Sequence, residues 1–188
     1  MTGASGAAYG VRLLERLREL EVESHLIVTR WARVTLEHET EYSYADLKSL
    51  ADFTYGEGDQ AAPVSSGSFL TRGMAIVPCS TKTLAAIATG FGHNLVCRAA
   101  DVMLKERRRL VLAVRETPLS QIHLRNMLTL SEAGATIMPP VPAFYHRPIE
   151  ISDIVDQTVL RILDQFDFEL DAASRWGGFR ELAREDLD

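Results

Sequence analysis

A chain of 188 residues, 46% hydrophobic and 24% charged, carries enough apolar content for one domain with a sizeable core. Its formal net charge of -6 argues against non-specific nucleic-acid binding, and no apolar run approaches the roughly 20 residues that a membrane helix needs. Cys79 and Cys97 are too far apart for a CxxC site, so a cytoplasmic protein with free thiols is expected.

The chain opens on Gly3-Ala4-Ser5-Gly6-Ala7, a run of small residues able to bend tightly and bring N–H groups close to an anion. Tyr9, Val11, Leu13, Leu14, Leu17 and Leu20 then recur at helical spacing. Residues 24–29 read as a strand; residues 30–39 and 44–51 read as helices, the second capped by Ser43. Residues 53–68 are rich in Gly, Asp, Pro and Ser and read mostly as loop. Residues 74–78 form a short buried strand, and residues 83–89 and 94–107 form helices. The clearest strand is 110–114, a continuous apolar run of the kind covered on both faces. Thr117-Pro118 is expected to cap and start a helix through Glu132. Residues 135–138 are the last strand, 139–148 a loop with four prolines, and Ser152 is expected to cap a helix through Phe166. One α/β domain over residues 1–166 is expected, with 167–188 a tail that packs on a neighbouring subunit or frays.

Alternating strands and helices imply a three-layer, Rossmann-like parallel sheet with helices on both faces. Ligands of such a sheet bind beyond the carboxyl ends of its strands. There the pattern gathers Gly3-Ala4-Ser5, Thr29, Cys79-Ser80-Thr81-Lys82-Thr83 and Arg115-Glu116, a set resembling a mononucleotide site. Ser80 and Thr83 can hold a phosphate or simply cap a helix. Arg115 can bind phosphate bidentately and Glu116 can move protons if buried; a structural ion pair is the plain alternative. Arg107, Arg108 and Arg109 read as a solvated face at a helix end, and Lys105, four residues after Asp101, points inward or toward another subunit. The five histidines show no metal-ligand spacing, so no catalytic metal is expected. Walker, GxGxxG, HExxH, GxSxG and DDxxD motifs are absent.

Taken together, Gly3-Ala4-Ser5-Gly6-Ala7, Pro78-Cys79-Ser80-Thr81-Lys82-Thr83-Leu84, Arg98-Ala99-Ala100-Asp101-Val102, Leu104-Lys105-Glu106-Arg107-Arg108, Arg115-Glu116-Thr117-Pro118-Leu119 and Pro139-Pro140-Val141-Pro142-Ala143-Phe144-Tyr145 resemble the UbiX/Pad-type flavin prenyltransferases, in order and over nearly the whole chain. The resemblance implies a flavodoxin-like fold and a homo-oligomer, typically a dodecamer. It implies transfer of a dimethylallyl group from dimethylallyl monophosphate to N5 and C6 of reduced FMN, without a metal, with the prenylated FMN passing to a UbiD-type decarboxylase. It also implies FMN contacts at Gly3, Ala4, Ser5, Thr29, Ser80, Thr83 and Arg115. Substrate contacts fall on Arg98, Lys105, Arg115, Tyr145 and Arg161, with Arg98 and Lys105 reaching a site shared between subunits. Glu116, Ser5, Lys105, Tyr145 and Glu39 are its catalytic positions.

The chain departs from the family in two places. An apolar strand normally precedes the Gly-Ala-Ser-Gly loop, and here only Met1 and Thr2 do, so a truncated first strand is expected, from a trimmed chain or a start internal to the gene. No aromatic lies near Gln60-Ala61-Ala62, where some members place one. Competing readings are an FMN-dependent cysteine decarboxylase of the same superfamily and a non-catalytic flavin carrier. Subunit contacts are expected on apolar helix faces around Leu95, Val96 and Val102.

Overall fold

In strand β4 (Arg109–Val114), alternate side chains serve two cores. Leu110, Leu112 and Val114 join one buried cluster, and Val111 and Ala113 another. A strand apolar on both sides must be sandwiched, and the rest of the chain arranges itself accordingly. A computed structural model describes residues 1–168. The elements run α1 (Ala7–Glu19), β1 (His25–Val28), α2 (Arg30–Glu39), α3 (Tyr44–Leu50), β2 (Phe53–Gly56), β3 (Gly73–Cys79), α4 (Thr81–Ala88), α5 (Leu95–Lys105), β4, α6 (Gln121–Glu132), β5 (Thr136–Ile137) and α7 (Ile151–Asp164). All strand pairs are parallel. On one face Leu84, Leu95, Val102 and Leu130 from α4, α5 and α6 pack against Ile76 and Leu112. On the other Leu13 of α1 and Val159, Ile162 and Leu163 of α7 pack against Val77, Val111 and Ala113.

The expected α/β architecture is present, but the sheet is in two pieces. One is β1-β2 and the other β3-β4-β5. Met1 and Thr2 stitch them together. The Met1 nitrogen donates to Ile27 O at 2.7 Å and the Thr29 N–H to Met1 O at 3.2 Å. On the other side, the Thr2 N–H donates to Pro78 O at 3.2 Å.

Several local expectations need correction. Residues 53–56 are a strand, not loop, paired from His25↔Phe53 to Val28↔Gly56. Helix α6 starts at Gln121, capped by Ser120, whose hydroxyl accepts from the His123 N–H; Thr117-Pro118 precedes it. Helix α7 begins at Ile151, one residue before Ser152, and Asp153 accepts from the Ile149 and Glu150 N–H groups. Leu95, Val96 and Val102 are interior side chains at 0%, 1% and 0% exposure, so no subunit contact forms on them. Exposed apolar side chains lie instead on α6 (Ile122, Leu124, Leu128) and the 141–151 segment (Val141, Phe144, Ile149, Ile151). Arg107 and Arg109 are exposed, as expected of a solvated helix end, whereas Arg108 is a half-buried anchor. Arg108 donates to Phe69 O and Gly67 O at 2.7 and 2.6 Å, and Arg109 pairs with Asp167 at 2.9 Å. Of the tail, Asp167 and Phe168 pack on the chain's own body, and the remaining residues lie outside those described.

Candidate active site

The four expected loops meet at the carboxyl edge of the strands. Thr29 follows β1 and caps α2, Gly3-Ala4-Ser5 leads from Met1 and Thr2 into α1, Ser80 follows β3, and Arg115-Glu116 follow β4. Gly6 takes a left-handed φ of 100° to turn the chain into α1, a conformation costly for any side chain with a Cβ. Gly3 lies against Trp31, where an added Cβ would come within 2.5 Å of the Trp31 Cβ. That close approach holds the loop against the first turn of α2.

The centre of the arrangement is Glu39. One of its carboxylate oxygens accepts from the Gly6 and Ala7 N–H groups at 2.8 and 2.9 Å, and the Ser5 hydroxyl donates to the same carboxylate. Burial pushes the Glu39 carboxyl upward. The bonds from Ser5, Ala7 and Gly6, with the charge of Arg115, outweigh it and hold the group below its ordinary value of 4.5. The donors at the α1 N-terminus, which the sequence offers to a phosphate, are therefore met by a protein carboxylate. Arg115 also faces Tyr9, whose phenol burial raises and whose shift that positive charge opposes.

Replacing Glu39 by Gln should cost about 1 kcal/mol, the worth of a charged helix cap. Because the folded carboxyl titrates below 4.5, that stability is complete above 4.5 and lost as pH falls through the folded value. Thermal unfolding from pH 7 to 3 should show the gap between wild type and variant closing at the acid end. A pH-independent gap would contradict it.

The remaining edge residues are more modestly engaged. Thr29, buried at 9%, accepts from the Ala32 N–H at 3.3 Å as the α2 cap. Ser80 caps α4, its oxygen accepting from the Thr83 N–H at 3.3 Å while its hydroxyl donates to Thr83 Oγ1 at 3.1 Å. Both hydroxyls thus crowd a helix N-terminus, where a phosphate could exchange for the self-cap. Glu116 is exposed in the single chain, its carboxylate accepting from the Thr117 N–H at 3.0 Å. The burial that would favour proton transfer is absent here.

Lys105 stands apart from this edge, and Arg98, Tyr145 and Arg161 are engaged with partners of their own. Lys105 ends α5 and pairs with Glu106, near Gly67, next to where β4 begins. Arg115 lies past the other end of that strand, about 20 Å away at 3.3 Å per residue. Arg98 pairs with Asp101 at 2.8 Å and donates to Ser65 O, so Asp101 is its partner rather than Lys105's. Tyr145 accepts from the Gln157 Nε2 at 2.9 Å, and Arg161 pairs with Asp164 at 2.7 Å. Sequence reasoning missed Trp31 and Tyr9. Trp31, three residues past the end of β1 and 66% exposed, had a usable signal; Tyr9 was hidden among the apolar positions of α1.

Among the described residues no group of three or more His, Cys, Asp or Glu could hold a metal ion, and no helix is long and apolar enough to cross a membrane. The small-residue loop, the hydroxyl-lined α4 N-terminus and Arg115 fit a flavin mononucleotide in donor chemistry and charge.

The Flavoprotein family model matches residues 1–163. A probable UbiX-like flavin prenyltransferase from Streptomyces sp. (strain D7) is 61% identical over 181 residues, 96% of this chain and 90% of that protein. The crystal structure of AnUbiX in complex with FMN and dimethylallyl pyrophosphate superposes with a TM-score of 0.94 at 56% identity, over 96% of each chain. A dodecameric FMN-dependent UbiX-like decarboxylase from Escherichia coli O157:H7 gives 0.91 at 54% identity, over 95% of this chain and 100% of that one.

Proposed function

The chain belongs to the Flavoprotein family, among its UbiX-like flavin prenyltransferases, and from that membership we propose that it joins a dimethylallyl group to N5 and C6 of reduced FMN. The donor is dimethylallyl monophosphate, and the prenylated FMN passes to a UbiD-type decarboxylase. The observation that carries the reading is the Ser5–Glu39 hydrogen bond beside Arg115, at the strand edge where a flavin would lie.

Reduced flavin supplies the nucleophilic nitrogen and carbon. The chain's own residues handle the phosphate and the protons. A carbon–oxygen bond to phosphate breaks as the carbon–nitrogen bond forms, and negative charge collects on the departing group. Arg115, with Lys105 and Arg161, neutralises that charge, and Tyr145 donates a hydrogen bond to a phosphate oxygen. The N5 proton leaves as the carbon–nitrogen bond forms; closure then adds a proton to the prenyl double bond, joins its tertiary carbon to C6 and releases the C6 proton. Glu116 is assigned to accept it, with Ser5 and the anionic Glu39 as a second relay and the departing phosphate assisting. Gly3, Ala4, Thr29, Ser80 and Thr83 hold the flavin.

In one chain Lys105 and Arg115 flank opposite ends of β4, so the proposed site is completed by neighbouring subunits. Exposed Phe144, Ile149 and Ile151 beside Tyr145 suit such contacts, and a dodecamer would supply them.

Anaerobic incubation with reduced FMN and dimethylallyl monophosphate, followed by mass analysis of the extracted flavin, tests the reading. A flavin heavier by one prenyl unit is expected, and a parallel arm with the pyrophosphate identifies the preferred donor. Retained FMN of unchanged mass would mark a carrier; oxidative decarboxylation of a cysteine-terminated peptide would mark the decarboxylase. Glu116→Gln should slow ring closure by about 10² to 10⁴. Unchanged bond-forming and ring-closing rates in single-turnover assays would remove Glu116 from its role.

A further inference from the structure

Gln157 occupies an interior position of α7. Its neighbours Thr158 and Val159 are buried, and Gln157 itself is 8% exposed. A primary amide withdrawn from water is costly unless it is hydrogen-bonded, so an apolar side chain would be the ordinary occupant. The Gln157 Nε2 donates to the Tyr145 hydroxyl oxygen at 2.9 Å. A buried amide on a helix thus holds a phenol that is 44% exposed on a loop.

The two ends of this bond differ in rigidity. The segment 138–150 that carries Tyr145 contains no helix or strand. Helix α7 is fixed on two sides. Val159, Ile162 and Leu163 pack in the core against Val77 and Val111, and Asp156, beside Gln157, pairs with Arg12 and Arg16 of α1. The His146 ring stands edge-on to Tyr145, with centroids 5.6 Å apart and planes at 76°. Both His146 ring nitrogens are buried and make no hydrogen bond among the described residues, so that ring braces the phenol by packing.

The direction of the bond matters as much as its place. Because the amide is the donor, the phenol turns a lone pair toward Gln157 and its own hydrogen toward a different acceptor. Arg161 follows Gln157 by one helical turn, so the phenol is tied to the stretch of α7 that carries Arg161.

We propose that Gln157 is a positioning residue for the prenyl-phosphate donor: it fixes the place of the Tyr145 phenol and, by occupying its lone pair, reserves the phenol hydrogen for a phosphate oxygen. Gln157 itself does not touch the substrate. The inference rests on the prenyl-transfer reading and deepens its assignment of Tyr145 to the phosphate.

The test reads each variant in two ways: calorimetric binding of dimethylallyl monophosphate to the FMN-loaded protein, and steady-state prenyl transfer. Tyr145→Phe should weaken donor binding by about tenfold or more, as for a lost hydrogen bond to a charged group. Gln157→Met keeps the length of the side chain and loses the amide. It should weaken donor binding by about threefold to tenfold and raise the donor KM in step, with the KM for reduced FMN unchanged. Gln157→His, whose Nε2–H has a similar reach, should recover most of that loss. Gln157→Glu offers only acceptors, so it should draw the phenol hydrogen to itself and lose at least as much as Tyr145→Phe. In the Tyr145→Phe background, Gln157→Met should change donor binding by less than about twofold, because the two residues act as one unit.

Wild-type donor binding in Gln157→Met, or equal losses from it in both backgrounds, would overturn the proposal. If Gln157→Met does not fold, Gln157→Glu decides, and wild-type donor binding there overturns it as well. A protein that binds the donor with this coupling, yet leaves the flavin mass unchanged, would refute prenyl transfer and keep the positioning role. Prenyl transfer without coupling between Gln157 and Tyr145 would do the reverse.

Discussion

Arg115→Ala should lower kcat/KM for prenyl transfer by about 10² to 10³, in line with losing one donor preorganised at developing charge. The argument starts from β4, whose apolar residues end abruptly at an exposed guanidinium on the carboxyl edge. Its positive charge acts on both Glu39 and Tyr9, so it lies within electrostatic reach of the α1 N-terminus. In the proposed reaction a departing phosphate gains negative charge there, and a planar, permanently charged donor suits it better than an ammonium. Arg115→Lys should therefore recover only part of the loss. If Arg115 served ground-state binding alone, KM would rise with kcat unchanged; the assigned role requires kcat to fall. Wild-type kcat/KM in the alanine variant would remove Arg115 from the chemistry.

Leu112→Ala should cost about 3 kcal/mol of folding stability, and lower the thermal midpoint by roughly 6–12 °C. Leu112 is 0% exposed and lies in the central strand of its sheet, opposite Ile76 of β3 and Ile137 of β5. Its side chain belongs to the cluster that joins α4, α5 and α6 to the sheet. Truncation removes contacts from every direction at once, and paired strands on both sides leave little freedom for collapse. Since domains are stable by only about 5–15 kcal/mol, the loss is a large share of the total. Chemical denaturation of both proteins measures it, and a difference below about 1 kcal/mol would contradict the packing described.

The sequence announced β3 and β4 because strands covered on both faces need unbroken apolar runs, and few other arrangements use them. Strand β2 escaped notice for the opposite reason. Its four residues are partly or fully exposed, end in glycine and adjoin a Gly- and Pro-rich stretch; only the β1 edge makes them a strand. The start of α6 was misplaced because Thr117-Pro118 carries a helix-start pattern while Ser120 holds the cap that the backbone uses. At the site, Ser5, Ser80 and Arg115 were legible from their places at strand ends. The partnership of Ser5 with Glu39 was not, because it joins α2 to α1 across more than thirty residues. The subunit-contact expectation failed at Leu95, Val96 and Val102 because an apolar stripe on α5 looks the same whether it faces a sheet or a neighbour.

Lys105 and Arg115 stand at opposite ends of one short strand, and that separation has a genetic consequence. In the composite site proposed above, damage at either residue would cripple a different half. When both kinds of damaged chain assemble together, some junctions pair one chain's sound Lys105 with the other's sound Arg115. Two alleles that are each inactive alone would then support activity in the same cell, and the enzyme's unit of inheritance would be the junction between chains rather than the chain.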